Sequence, residues 1–248
     1  MTAVPPAGPF VVIHRDKELM AQATAARLIT AVVDAQAAGG AASVVLTGGR
    51  NGNGLLAALA GSPARDAVDW GRLDVWWGDE RFLPHGHPDR NDTQARAALL
   101  DAVPLDPARV HPMPASDGPH GDDPDAAAES YAAELAAAAG PFDVLLLGVG
   151  PDTHIASLFP GHPAAEVTDR TVVAVREAPK PPPTRISLTL PVINSAGEVW
   201  LLAAGEDKAR AVATALGGDD AAPAARAAGA RTLWLLDEAA AADLPAAA

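Results

Sequence analysis

The sequence predicts an α/β fold in which a parallel-rich central sheet carries helices on both faces. Three observations predict it. Strand-like apolar runs alternate with helical patterns along the chain. Runs such as Ser43-Val44-Val45-Leu46-Thr47 and Val144-Leu145-Leu146-Leu147 are apolar nearly throughout, as strands covered on both faces are. No linker separates two cores, so the 248 residues read as one domain, 1–248.

Phe10–His14 reads as the opening strand. Asp16 caps a helix to about Ala38, with Met20, Ala23, Leu28, Ile29 and Val32 at helical spacing and Gly39-Gly40 ending it. Strand 43–47 enters a loop at 48–52, and a helix starts over Gly54–Ala60. Leu73–Trp77 is a strand stopped by Gly78-Asp79-Glu80-Arg81. Asn91 or Asp92 caps a helix to about Leu100, and Ser116–Asp123 is a solvated loop. A helix over Asp125–Ala139 precedes the strand Phe142–Leu147. Thr171–Val175 is a strand, Pro179–Pro183 a stiff connector, and Arg185–Leu190 a strand. Val199–Ala203 is a strand and Glu206–Leu216 a helix. Arg231–Leu236 is the last strand, and Asp237 caps a short closing helix.

Net charge narrows the partners. At −13 the chain repels nucleic acid and anionic membrane, and an anionic metabolite needs a local cluster of cations. Lysine occurs only at Lys17, Lys180 and Lys208, so a lysine within a motif stands out. The absence of cysteine excludes disulfides, thiolate metal sites and cysteine nucleophiles, and it fits a reducing, cytoplasmic compartment. Met1–Pro9 lacks a basic-then-apolar secretory pattern, and no run reaches the roughly 18 apolar residues of a membrane span. Without heptads or a long exposed apolar helix, a monomer or weak dimer is expected.

Leu147-Gly148-Val149-Gly150-Pro151-Asp152-Thr153-His154 is the most informative run. A buried strand breaks into a glycine-rich turn and delivers an acid and a histidine two residues apart. Such turns stand at the carboxyl edge of a parallel sheet, where α/β proteins bind small molecules. His154 is a candidate base, although a structural histidine packed under the loop would read alike. Thr47-Gly48-Gly49-Arg50-Asn51-Gly52 is an anion-binding loop or simply a tight turn. Read alone, Gly78-Asp79-Glu80-Arg81 is a charged surface turn before it is an acid/base pair with Arg81 as a phosphate fork. His85-Gly86-His87 lies in a Gly/Pro loop with no further ligand set, so no metal is expected. Lys208 sits where a helix dipole opposes it, which an anionic ligand would relieve.

Five motifs in order then resemble the bacterial 6-phosphogluconolactonase family over nearly the whole chain. They are Leu46-Thr47-Gly48-Gly49; Trp77-Gly78-Asp79-Glu80-Arg81-Phe82-Leu83-Pro84 with His87-Pro88-Asp89 and Asn91; Gly148 to Gly161; Arg185-Ile186-Ser187-Leu188-Thr189-Leu190-Pro191; and Gly205 with Lys208. The resemblance implies a Rossmann-like three-layer sandwich of the sugar-phosphate isomerase/deaminase type. It implies hydrolysis of a sugar phosphate lactone, 6-phospho-D-glucono-1,5-lactone, with neither metal nor organic cofactor. It makes His154 the base that activates water. Asp79 and Asp152 would orient water, ring hydroxyls or His154. Gly48, Gly49, Arg81, Arg185 and Lys208 would hold the phosphate.

Two departures from the family pattern matter. Thr153 stands where the family has glycine, and a β-branched residue resists positive φ, so the turn and the aim of His154 are expected to differ. Arg50 and Asn51 replace the hydroxyls of a Gly-Gly-Ser-Thr-Pro loop, which shifts phosphate binding there to Arg50 and backbone N–H groups. Two rivals remain. Related deaminases carry glutamate five residues after the histidine, where this chain has Phe159. A sugar-phosphate sensor of this superfamily is usually joined to a DNA-binding helix-turn-helix, which fits poorly with an acidic chain opening on a strand.

Overall fold

The computed structural model describes residues 8–138 and 140–245. Most of the N-terminal stretch searched for a signal, and Ala139 at the expected end of a helix, lie outside them. The chain opens with β1 (Phe10–His14), α1 (Lys17–Gly39), β2 (Ala42–Leu46) and α2 (Gly49–Gly61). It continues with β3 (Leu73–Trp77), β4 (Asp79–Arg81), α3 (Asn91–Ala98), β5 (Val110–His111) and α4 (Pro124–Ala137). Then come β6 (Val144–Gly148), β7 (Val172–Val175), β8 (Arg185–Leu188), α5 (Leu190–Asn194) and β9 (Glu198–Ala203). The described chain closes with α6 (Ala209–Leu216), α7 (Pro223–Arg226) and β10 (Arg231–Asp237).

Seven strands form a wholly parallel sheet in the order β1-β10-β9-β6-β2-β3-β5. Its side chains alternate between two apolar layers. Val44, Leu46, Val75, Trp77, Leu146 and Trp200 pack under α1, α2 and α3. Val45, Trp76, Leu145, Leu147, Leu201 and Trp234 face α4 and α6. Each such side chain removed from water contributes about 1.5–3 kcal/mol, which explains why these strands are apolar on both faces.

Helix ends follow local chemistry. Asp16 accepts from the N–H of Leu19 to start α1, and Gly40, at φ 84°, ends it. Asp123 caps α4 through the N–H groups of Asp125 and Ala126. No helix among the described residues is long and apolar enough to cross a membrane.

Several expectations need correction. The residues Gly49-Arg50-Asn51, expected as loop, form the first turn of α2, with Gly48 as its N-cap. Asp79-Glu80-Arg81, expected to stop a strand, is itself a strand. It pairs antiparallel with β8, which also pairs with β7, giving a separate three-stranded sheet. Arg90 precedes α3, so Asn91 and Asp92 lie within its first turn rather than capping it. The closing helix after Asp237 is instead a series of hydrogen-bonded turns, with Asp237 accepting from the N–H of Ala240 at 2.8 Å.

Topology places the crevice. From β2 the chain moves outward to β3 and β5, then returns to β6 on the other flank of β2 and moves outward through β9. The carboxyl ends of β2 and β6 therefore meet at a topological switch point, where α/β folds open a cleft.

Candidate active site

The loops leaving β2, β6 and β9, together with β4 and the 179–183 strap before β8, enclose a cavity of about 200 Å³. That is below the roughly 300–1,000 Å³ of pockets for drug-sized ligands, so it suits a compact one. Gly48, Gly49, Arg50, Asp79, Arg81, His154, Arg185 and Lys208 all line it. Asp152 borders it through its bond to His154.

The β6 turn aims the imidazole. Gly150 donates its N–H to the His154 carbonyl at 2.8 Å, and Thr153 donates to the Gly150 carbonyl at 2.9 Å. A β-carbon at Gly150 would land on the imidazole and crowd the Asp152 carboxylate, so only glycine fits there. His154 Nδ1 is hydrogen-bonded to Asp152 Oδ1. The ring packs against Phe159, with centroids 4.6 Å apart. Burial pushes the Asp152 carboxyl up. The hydrogen bond from His154, joined by the hydrogen bond and charge of Lys180, outweighs it and holds the group well below the usual carboxylate range.

Thr153 takes φ 69°, the left-handed region, and its carbonyl accepts from the N–H of Ala224 at 3.1 Å. Thr153 thus holds a backbone conformation that a β-branched residue resists. Thr153→Gly is expected to raise unfolding free energy by about 1 kcal/mol, read from urea denaturation. A destabilised variant would show that Thr153 makes compensating contacts.

Asp79 is buried, contrary to the surface reading of its motif. Its Oδ2 accepts from Ser157 Oγ at 2.6 Å, and its Oδ1 from Asn91 Nδ2 at 3.3 Å. The partner of His154 is Asp152, and Asp79 lines the same cavity without bonding to the imidazole. Glu80, also expected at the surface, is fully buried and accepts from the N–H groups of Arg81, Asn91 and Asp92.

Five cations line the cavity: Arg50, Arg81, Lys180, Arg185 and Lys208. This is the local positive cluster that an acidic chain needs to hold an anion. Burial lowers Lys208 from its ordinary value, with Asp207 at 3.7 Å opposing the shift. Burial likewise lowers Arg185, opposed by Asp79. Most of the Arg185 fork is committed to the strap. Nε donates to Pro182 O at 3.1 Å, and Nη2 donates to Lys180 O and Pro181 O at 3.0 and 3.2 Å. Arg50 reaches across to Asp207 Oδ2 at 3.1 Å. Arg81 Nη1 donates to Asp89 O at 2.6 Å. Arg81 Nε and Asn91 Oδ1 are buried without a partner among the described residues. Polar atoms left so are costly unless a ligand meets them.

The family profile of glucosamine-6-phosphate isomerases/6-phosphogluconolactonase matches residues 15–234. The chain belongs to this family. A Streptomyces coelicolor member named 6-phosphogluconolactonase is 71% identical, over 96% of this chain and 95% of its own. The solved structure of 6-phosphogluconolactonase from Trypanosoma brucei superposes with TM-score 0.83 at 28% identity, covering 96% of this chain and 99% of that one. A monomeric glucosamine-6-phosphate deaminase shares the fold, with TM-score 0.78 at 21% identity, over 94% of this chain and 99% of its own. The family's parallel α/β architecture is thus the one seen here.

Lys180, Asn91 and Ser157 join the site without a role expected from the sequence. Scarcity of lysine was the available signal for Lys180. Its place in a proline-rich connector concealed it. His85 and His87 stay in an exposed loop, where His87 Nδ1 accepts from the N–H of Asp89 at 3.1 Å. Among the described residues no group of three or more His, Asp or Glu side chains is placed to hold a metal ion.

Proposed function

We propose that this chain is a 6-phosphogluconolactonase. It would hydrolyse 6-phospho-D-glucono-1,5-lactone to 6-phospho-D-gluconate in the cytoplasm, the second step of the oxidative pentose phosphate pathway, as a single-domain enzyme. One observation carries the chemistry: a histidine–aspartate pair and a ring of cations share one small cavity. The 71% identical relative named for this activity supports the same reading.

In the proposed step, Asp152 holds the Nδ1–H tautomer of His154 and leaves Nε2 free to accept a proton. Water loses that proton to Nε2 as its oxygen bonds to C1 of the lactone. The C1–ring-oxygen bond then breaks, and the imidazolium returns the proton to the ring oxygen. Water alone is consumed. Asp79, oriented by Ser157 and Asn91, would bind a sugar hydroxyl or the water. Lys208, Arg81, Arg50, the remaining Nη1 of Arg185 and the N–H groups of Gly48-Gly49 would grip the phosphate and so fix the carbonyl against the water. Phe159, packed on His154, stands where related deaminases carry glutamate. That disfavours the deaminase reading.

The purified chain should consume the phospholactone well above its spontaneous rate, and no acceleration would refute the reading. Lys208→Ala should lower kcat/KM for the phospholactone by roughly ten- to hundredfold, the loss of one charged hydrogen bond of about 1.5–3 kcal/mol. Unphosphorylated glucono-1,5-lactone should be nearly unaffected. Equal losses on both substrates would remove Lys208 from the phosphate site.

A further inference from the structure

We propose that Lys180 is a positioning residue that keeps His154 in its unprotonated, proton-accepting form. The kinetic consequence rests on the lactonase reading, and the electrostatics stand without it. Lys180 lies on the strap between β7 and β8, whose carbonyls Arg185 clamps. Its Nζ thereby reaches Asp152 Oδ1 at 3.0 Å and His154 Nδ1 at 3.3 Å. Asp152 Oδ1 is thus shared between two nitrogen partners.

An aspartate that bonded to the histidine alone would favour a positive imidazole. Here an ammonium already balances that carboxylate, and a proton added to His154 would set two cations 3.3 Å apart. The other charged groups around His154 add to this or are already engaged. Arg185 lies 5.7 Å over the Phe159 ring that packs on His154. Lys208 and Arg81 line the same cavity and oppose a further positive charge, and Arg50 is paired with Asp207. Asp79 has the opposite sign, but its oxygens are held by Ser157 and Asn91. Among the described residues, Lys180 alone of these cations reaches both members of the pair at hydrogen-bond distance. Lys180 lies outside the strands and the apolar layers, so its replacement should leave the fold intact.

The test compares Lys180→Met and Lys180→Arg with the parent chain. NMR titration follows the His154 imidazole, and kcat/KM for the phospholactone is measured against pH. In Lys180→Met the imidazole midpoint and the acid limb of kcat/KM should both rise, by about one pH unit. Lys180→Arg should keep both close to the parent. An unmoved or lowered midpoint in Lys180→Met overturns the proposal. A parent chain that leaves the lactone unhydrolysed, while its midpoint still moves with Lys180, removes the lactonase reading and sustains this inference.

Discussion

His154→Ala should lower kcat for the phospholactone by about 10²–10⁴-fold, the usual contribution of a positioned general base, while KM changes little. The split follows from the site. In the proposed step the imidazole would meet the reacting water, whereas the phosphate would be gripped by cations on other elements, including Lys208 before α6 and Arg81 on β4. The remaining donors would keep the substrate oriented and so leave residual turnover above background. The fold should survive, because the removed ring packs chiefly against Phe159 at the cavity wall. Steady-state kinetics with a thermal melt of the variant make the measurement. Unchanged kcat would remove His154 as the base, and a collapsed melt would mark it as a structural histidine.

Glu80→Ala should be strongly destabilising, because each buried N–H group left without an acceptor costs about 1–3 kcal/mol. Glu80 joins β4 to α3. Its Oε1 accepts from the N–H of Arg81 at 2.8 Å and of Asn91 at 2.7 Å, and its Oε2 from the N–H of Asp92 at 2.9 Å. Arg90 Nη2 stands 3.6 Å from Oε2 and donates to Met113 O at 2.7 Å. Alanine would orphan three N–H groups and strip Arg90 of one of its two carboxylates. Activity should fall as well, because Asn91, at the start of α3, orients Asp79.

Burial pushes the Glu80 carboxyl up to about 7, against the pull of Arg90 and the N–H groups of Asn91 and Asp92. Its folded value therefore exceeds the unfolded one of 4.5. Between these values the native state binds more protons, so this group's contribution to stability falls as pH rises through that window. Urea denaturation across the window should show that slope in the parent chain and lose it in Glu80→Gln. An unaltered slope in Glu80→Gln would place the proton elsewhere.

The parallel sheet was legible because strands covered on both faces must be apolar, and Val44-Val45-Leu46 or Leu145-Leu146-Leu147 admit little else. The second sheet was not. Three polar residues, Asp79-Glu80-Arg81, carry no strand pattern, and they become a strand only by pairing with β8. Likewise Gly49-Arg50-Asn51-Gly52 has poor helix propensity, and its helical turn comes from packing α2 onto the sheet. That an acid and a histidine stand together on the turn after β6 could be read because they are adjacent in sequence, but which aspartate bonds to the imidazole could not. The neighbour of that pair on the strap could not. Lys180 lies 26 residues beyond His154 in the chain, and only the fold brings its ammonium to the carboxylate. Arg185 shows a related limit, since sequence marks it as a cation without revealing that strap carbonyls occupy most of its donors.

A crystal structure with 6-phospho-D-gluconate bound tests the central claim most directly. The account expects the C1 carboxylate within hydrogen-bond reach of His154 and the phosphate among Lys208, Arg81 and the Gly48-Gly49 backbone. A phosphate seated at the imidazole, or a ligand outside this cavity, would contradict it.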